Sequence, residues 1–252
     1  MCHSPRQTLL LSLLFSGCIV TAAYTGPVTG SSAAAEELSD EERQREVAKL
    51  MGILGARRNP VKDVDLMLRL GGNPEIGAAD AKLVIAEFST FQCGYCKRHY
   101  SQTMPRLVAE LVDTGQVRYV FFDYPVESDQ PIAREAAEAG RCADDQGLYW
   151  ELREHLFQNA NRLQTETLTS QARIPGLDVM PFEDCMETGQ FSAAVANDLT
   201  RARTLGIRGT PSFLIGFAVD DGANVKVVKR ITGAQPYAVF ADAVDELLPE
   251  AP

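Results

Sequence analysis

The chain has 252 residues, enough for one large domain or two small ones with a sizeable core. Hydrophobic residues make up 45% and charged residues 23%, which excludes a wholly disordered, collagen-like or polytopic membrane chain. With 24 Lys and Arg against 34 Asp and Glu, the net charge of −10 argues against a nucleic-acid partner.

Arg6 precedes an apolar run over residues 8–20, and the small residues Thr21, Ala22 and Ala23 follow. That is the pattern of a signal peptide spanning residues 1–23, cleaved after Ala22 or Ala23. The run is short for a membrane span. A periplasmic or otherwise exported protein is expected, in a compartment where disulfides persist. Ser16-Gly17-Cys18 resembles the tail of a lipobox with Phe15 in place of Leu, so lipid anchoring at Cys18 is the alternative to simple cleavage. Otherwise Cys2 and Cys18 leave with the leader.

Residues 24–80 read as a leader followed by a helical extension. Residues 24–38 are rich in Gly, Ser, Thr and Ala, a linker composition. Ser39-Asp40-Glu41-Glu42 fits a capping box, with Val47, Leu50, Met51 and Leu54 following at helical spacing. Asn59-Pro60 fits a second cap and Gly71-Gly72 a stop. Two helices over residues 39–70 are therefore expected, either docked on the main domain or serving as a homo-oligomerisation arm.

A second region, residues 81–252, has a different pattern. Leu83-Val84-Ile85-Ala86-Glu87-Phe88 is nearly continuous and apolar, as in a strand buried on both faces. A helix over 97–112 and a strand over 117–122 complete a β-α-β unit. Residues 126–206 are mostly helical in pattern. Strands return at 212–215 and 225–231, separated by the turn pair Asp221-Gly222, and a helix over 237–248 closes the chain.

Cys93-Gly94-Tyr95-Cys96 lies just beyond the first of these strands, where the following helix opens. Unsatisfied N–H groups and partial positive charge at a helix start stabilise a thiolate. Cys93 is thus the expected nucleophile. Cys96, one turn on, is placed to resolve the mixed disulfide. Lys97, Arg98 and His99 add local positive charge or form a solvated face. A structural disulfide and a zinc half-site are the competing readings. Zinc would need Cys142 and Cys185, which form no second close-spaced pair, and no metal or other cofactor is expected.

Phe91-Gln92-Cys93-Gly94-Tyr95-Cys96-Lys97 after a buried strand, and Gly209-Thr210-Pro211-Ser212-Phe213 before a later one, resemble the thioredoxin superfamily. Arg118-Tyr119-Val120-Phe121-Phe122-Asp123-Tyr124-Pro125 and the segment from Cys142 to Glu151 narrow this resemblance to DsbA-like proteins. It covers about residues 80–250 and implies an α/β thioredoxin-like fold with a helical insertion. It also implies that Pro211 is cis and faces the active site, and that Thr210 lines the substrate site with Gly94 and Tyr95 nearby. Glu87 matches a buried family carboxylate that relays the proton of Cys96; an unengaged position at a wet edge is the alternative.

An oxidising compartment favours pairing Cys142 with Cys185 as a structural disulfide. His155 and Trp150 read as core or boundary residues. The function expected is exchange of disulfides with cysteine-bearing protein substrates, with donation during oxidative folding first, and a redox partner resetting the site. A DsbC-like isomerase or reductase and a non-catalytic binding module are the alternatives.

Overall fold

The computed structural model describes residues 60–125, 130–164 and 168–251. Six strands form one mixed sheet, in the order β1-β6-β5-β3-β4-β2. They are β1 (Val61–Arg69), β2 (Glu75–Ile76), β3 (Leu83–Ser89), β4 (Val117–Asp123), β5 (Ser212–Val219) and β6 (Asn224–Thr232). β3 pairs parallel with β4, and the other pairs are antiparallel. Every residue of β3 and β4 is buried, so both strands lack polar alternation. Strand parity still divides them. Leu83 and Ile85 pack on one face with Tyr119 and Phe213; Val84, Ala86 and Phe88 pack on the other with Val120 and Phe122.

The first face is covered by α1 (Gly94–Gln102), α2 (Met104–Leu107) and α8 (Tyr237–Leu247). One helix over 97–112 was the expectation; the structure divides it. Helix α1 stops at Gln102, and Pro105 is the residue that cannot continue the hydrogen-bond series. A wider π-helical turn, Val108–Val112, follows α2.

Between β4 and β5 lie the helices α3 (Gln130–Asp144), α4 (Tyr149–Gln158), α5 (Leu168–Gln171), α6 (Val179–Thr188) and α7 (Ser192–Thr204). Their apolar faces form a core of their own around Leu152, Leu156, Phe157 and Phe182, which also takes in Phe91, Cys96 and Phe121 from the sheet layer. Cys142 of α3 and Cys185 of α6 form a disulfide, with a Cα–Cα distance of 5.9 Å. It takes both cysteines that the zinc reading required.

The N-terminal expectation needs correction. Residues 61–69 are not a helix but strand β1, paired antiparallel with β6 from Val61 opposite Ile231 to Arg69 opposite Asn224. Val64, Leu66 and Leu68 alternate with Asp63, Asp65 and Met67, and the first three pack against the sheet's second core. That alternation is a strand pattern, whereas the helical expectation rested on the Asn59-Pro60 cap and the Gly71-Gly72 stop. The open edge of β6 supplies hydrogen-bond partners that a local reading cannot see. The sheet therefore begins well before residue 81, and residues 61–69 are part of it rather than half of an arm. The expected leader and the helix over residues 39–58 lie outside the described residues. Among the described residues no helix is long and apolar enough to cross a membrane.

The β5–β6 hairpin turns through residues 220–223, with the expected pair Asp221-Gly222 at its centre. Asp220 and Asp221 carry the positive φ values of 53° and 54°, and Gly222 follows at 81°. Three consecutive residues thus take positive φ, which Gly adopts freely and Asp tolerates better than most residues. Further along the ladder a Cβ on Gly216 would lie 2.0 Å from the carbonyl oxygen of Lys226. The register shift between Ile215 and Gly216 thus requires glycine.

Candidate active site

Cys93 is the N-cap of α1, with extended backbone angles (φ −80°, ψ 120°). Its sulfur accepts the backbone N–H of Cys96 at 3.3 Å. Sulfur thereby fills the capping role usually taken by a Ser, Thr or Asp oxygen, and the helix start stabilises its negative charge. Cys96, one turn on, is completely buried. The two sulfurs are unbridged.

This asymmetry separates their acidities. The Cys93 thiol is lowered from 9.0 to about 6, first by a hydrogen bond from the Cys96 thiol, then by Thr210 and the backbone N–H groups of Cys96 and Tyr95, with burial opposing. Burial raises Cys96 well above its ordinary value, and the hydrogen bond and charge of Cys93 raise it further. Ser89, at the end of β3, favours the Cys96 thiolate only weakly.

At pH 7 the site therefore holds a Cys93 thiolate and a Cys96 thiol, the division of labour that exchange requires. Alkylation of Cys93 is expected to follow a midpoint near pH 6, with Cys96 protected until strongly alkaline pH. Mass spectrometry of iodoacetamide-treated protein checks this. Equal reactivity of the two at pH 6–7 would refute it.

Opposite Cys93 stands the loop before β5. The Thr210–Pro211 peptide bond is cis, and the Thr210 carbonyl oxygen lies 3.5 Å from the Cys93 sulfur. The Pro211 carbonyl accepts the N–H of Gly233, and Ser212 Oγ donates to the Gly209 carbonyl, so the loop is held on both sides. Thr210 thus meets Cys93 through its carbonyl, and its side chain also hydrogen-bonds the sulfur. Between the cysteines, a Cβ on Gly94 would meet open space, and Tyr95 is 62% exposed. The guanidinium of Arg98 sits 5.0 Å over the Tyr95 ring and donates to the Ala234 carbonyl.

Glu87 is not at a wet edge. It is fully buried on the same face of β3 as Leu83 and Ile85, and its Oε2 pairs with Arg153 Nη2 at 2.8 Å and accepts Tyr119 Oη at 2.6 Å. Its Oε1 has no hydrogen-bond partner. Neither oxygen bonds Cys96 directly, so the geometry supplies a buried charge and no direct proton hand-off.

Lys97 and Arg98 lie toward solvent, reaching the carbonyls of Gln158 and Ala234. His99 instead points inward and is fully buried, with burial lowering it from 6.5 to about 4. Trp150 donates to the Glu75 carbonyl and His155 sits beside Asn159. Sequence reasoning passed over Ser89, Tyr119 and Arg153. Only their proximity in space reveals them, although an Arg inside the apolar stripe of α4 was a visible irregularity.

Among the described residues, no cluster of His, Cys, Asp and Glu is built to hold a metal. The sheet thus presents Cys93-Gly94-Tyr95-Cys96 at a helix start, facing the cis Thr210–Pro211 loop. The profile of the family described as thioredoxin matches residues 70–229, and the chain belongs to that family.

Na(+)/H(+) antiporter NhaA 3 of Salinispora tropica is 30% identical over 139 residues, 55% of this chain and 21% of that protein. The chain thus spans about a fifth of the length of the antiporter relatives it matches. The probable disulfide bond formation protein D of Bacillus anthracis is 26% identical over 148 residues, 56% of this chain and 68% of that one. Among solved structures, alpha-DsbA1 of Wolbachia pipientis superposes with a TM-score of 0.62 at 23% identity, covering 73% of this chain and 94% of that one. A thioredoxin-like oxidoreductase from Silicibacter pomeroyi gives 0.55 at 27% identity, covering 69% and 91%.

Proposed function

We propose that the protein works outside the cytoplasm and donates disulfides to cysteine-bearing protein chains during oxidative folding, with a separate redox partner restoring its own disulfide. The acidity difference between Cys93 and Cys96 carries this reading. In the donating direction a substrate thiolate attacks the Cys93 sulfur of the Cys93–Cys96 disulfide. The S–S bond breaks, Cys96 leaves as a thiolate and takes up a proton, and substrate and Cys93 share a mixed disulfide. A second substrate thiolate then attacks the substrate's sulfur, and Cys93 leaves with the electron pair. A thiol of low pKa is a good leaving group, so that last step is the one this site favours. The leader pattern over residues 1–23 supports export, and the name of the Bacillus relative supports disulfide formation.

Stabilising the Cys93 thiolate stabilises the reduced protein and raises the reduction potential. No cationic side chain stands between the cysteines, where Gly94 and Tyr95 are found. Equilibration in graded glutathione buffers is therefore expected to give a value above roughly −270 mV, that of thioredoxin, and below roughly −120 mV, that of DsbA. A potential at or below the lower value would overturn donation in favour of reduction. The Gly94-Tyr95 dipeptide and Thr210 before Pro211 also resemble DsbC-like isomerases. Rescue of a scrambled substrate without net oxidation would favour that second reading.

A further inference from the structure

Ser89, the last residue of β3, is fully buried, and among the described residues its hydroxyl has no hydrogen-bond partner. Its carbonyl, by contrast, accepts the N–H of Tyr124 at 2.8 Å. A buried hydroxyl left unpaired costs stability, and an alanine in its place would not carry that cost. The idle group therefore calls for a use.

The end of β3 is tied to the active-site turn. The Thr90 carbonyl accepts the Cys93 N–H at 3.3 Å, and the Cys93 sulfur accepts the Cys96 N–H. Two donors from this end of the strand act on the buried Cys96 sulfur, the Ser89 hydroxyl and the Thr90 backbone N–H. In the reduced protein Cys96 is a neutral thiol and a weak acceptor, so the Ser89 contact stays loose. Exchange changes the charge. When a substrate thiolate attacks the Cys93 sulfur, the electron pair of the S–S bond moves onto the Cys96 sulfur. That sulfur lies in the core that holds Phe91, Phe121 and Phe157, where charge is costly without donors.

We propose that the Ser89 hydroxyl and the Thr90 N–H form a two-donor pocket that holds the leaving Cys96 thiolate as the active-site disulfide opens. The proposal rests on the exchange reading of Cys93 and Cys96. Ser89 shares its proton with the sulfur and keeps it, because a hydroxyl is a much weaker acid than a thiol. The bond is strong only while the sulfur is charged. It therefore lowers the barrier without favouring the disulfide or the neutral thiol on either side of it. The same pocket serves the reverse step, in which a Cys96 thiolate attacks the mixed disulfide at Cys93.

Ser89→Ala in the full chain tests this, with reduced glutathione as the attacking thiol. Acid-quenched samples of the oxidised protein, read by mass spectrometry, give the rate at which the Cys93–Cys96 disulfide opens. That rate is expected to fall roughly tenfold, since a donor to developing charge is lost. The reduction potential at pH 7 should stay at the wild-type value, because neither end state depends on the donor. The melting temperature should hold or rise, because the unpaired hydroxyl is gone. Ser89→Thr keeps a hydroxyl and should recover most of the rate.

A slower variant that also melts lower and shifts in potential marks a structural residue and overturns the proposal. An opening rate within about twofold of an active wild type overturns it as well. So does a Ser89→Thr variant that melts like wild type yet is as slow as Ser89→Ala. Should Ser89→Thr fail to fold, Ser89→Ala decides alone. A wild type inert toward glutathione, insulin and a reduced refolding substrate overturns the exchange reading, and the proposal with it.

Discussion

Replacing Cys93 with Ser is expected to reduce catalysed disulfide exchange to the uncatalysed background, a loss of roughly a thousandfold or more. A serine hydroxyl can still cap α1, so the fold survives. It cannot ionise near pH 6 or form the S–S bond on which every step depends. Cys96→Ala has a different expected outcome. The attacking sulfur remains at the helix start and the Thr210 carbonyl still faces it, but the buried group that would expel the substrate is gone. Mixed disulfides through Cys93 should therefore accumulate and be visible on non-reducing gels of the variant mixed with an exported-protein extract. Oxidative refolding of a reduced substrate reads the first expectation. Wild-type turnover by Cys93→Ser would remove the nucleophile assignment, and trapping through another cysteine would move it elsewhere.

Arg141→Leu is expected to destabilise the protein by about 3–5 kcal/mol near pH 8, the cost of stripping a buried charge from its partners. Arg141, from α3, is 3% exposed and donates to Asp123 at the end of β4 (2.7 Å) and to Asp198 on α7 (2.6 Å). Asn73 and Arg201 also donate to Asp198. One guanidinium thus joins the helical layer to the sheet. Burial raises Asp123, and lifts Asp198 to about 7, with Arg141 opposing in both.

A carboxyl raised in the folded state contributes stability below its unfolded pKa and loses that contribution as pH rises through the folded value. Removing Arg141 raises both groups further, so the loss should be smaller at pH 5 than at pH 8. Urea denaturation at the two pH values measures it. An equal loss at both would show that packing, rather than charge, sets the contribution of Arg141.

How far the sequence carries depends on the range over which each signal acts. Short-range signals were legible. Cys-Gly-Tyr-Cys after an unbroken apolar strand placed a dithiol at a helix start. The apolar runs at β3 and β4 marked strands that must be covered on both faces. Those features depend on residues within a turn or two of one another, where spacing alone determines which side chains meet.

Residues 61–69 show where that stops. Val64, Leu66 and Leu68 alternate as in a strand while Asn59-Pro60 and Gly71-Gly72 look like a helix cap and stop, and pairing with β6, more than 150 residues away, decides between them. Arg153 and Glu87 show the same limit at the site. Each is irregular in its own apolar stretch, yet neither stretch names the other as partner. Chain-local patterning determined what this protein carries, a thiol at a helix start and a second one turn on. Only the tertiary structure decided which buried charges lie beneath them, because burial energies and ion pairs depend on which elements pack together, not on separation along the chain.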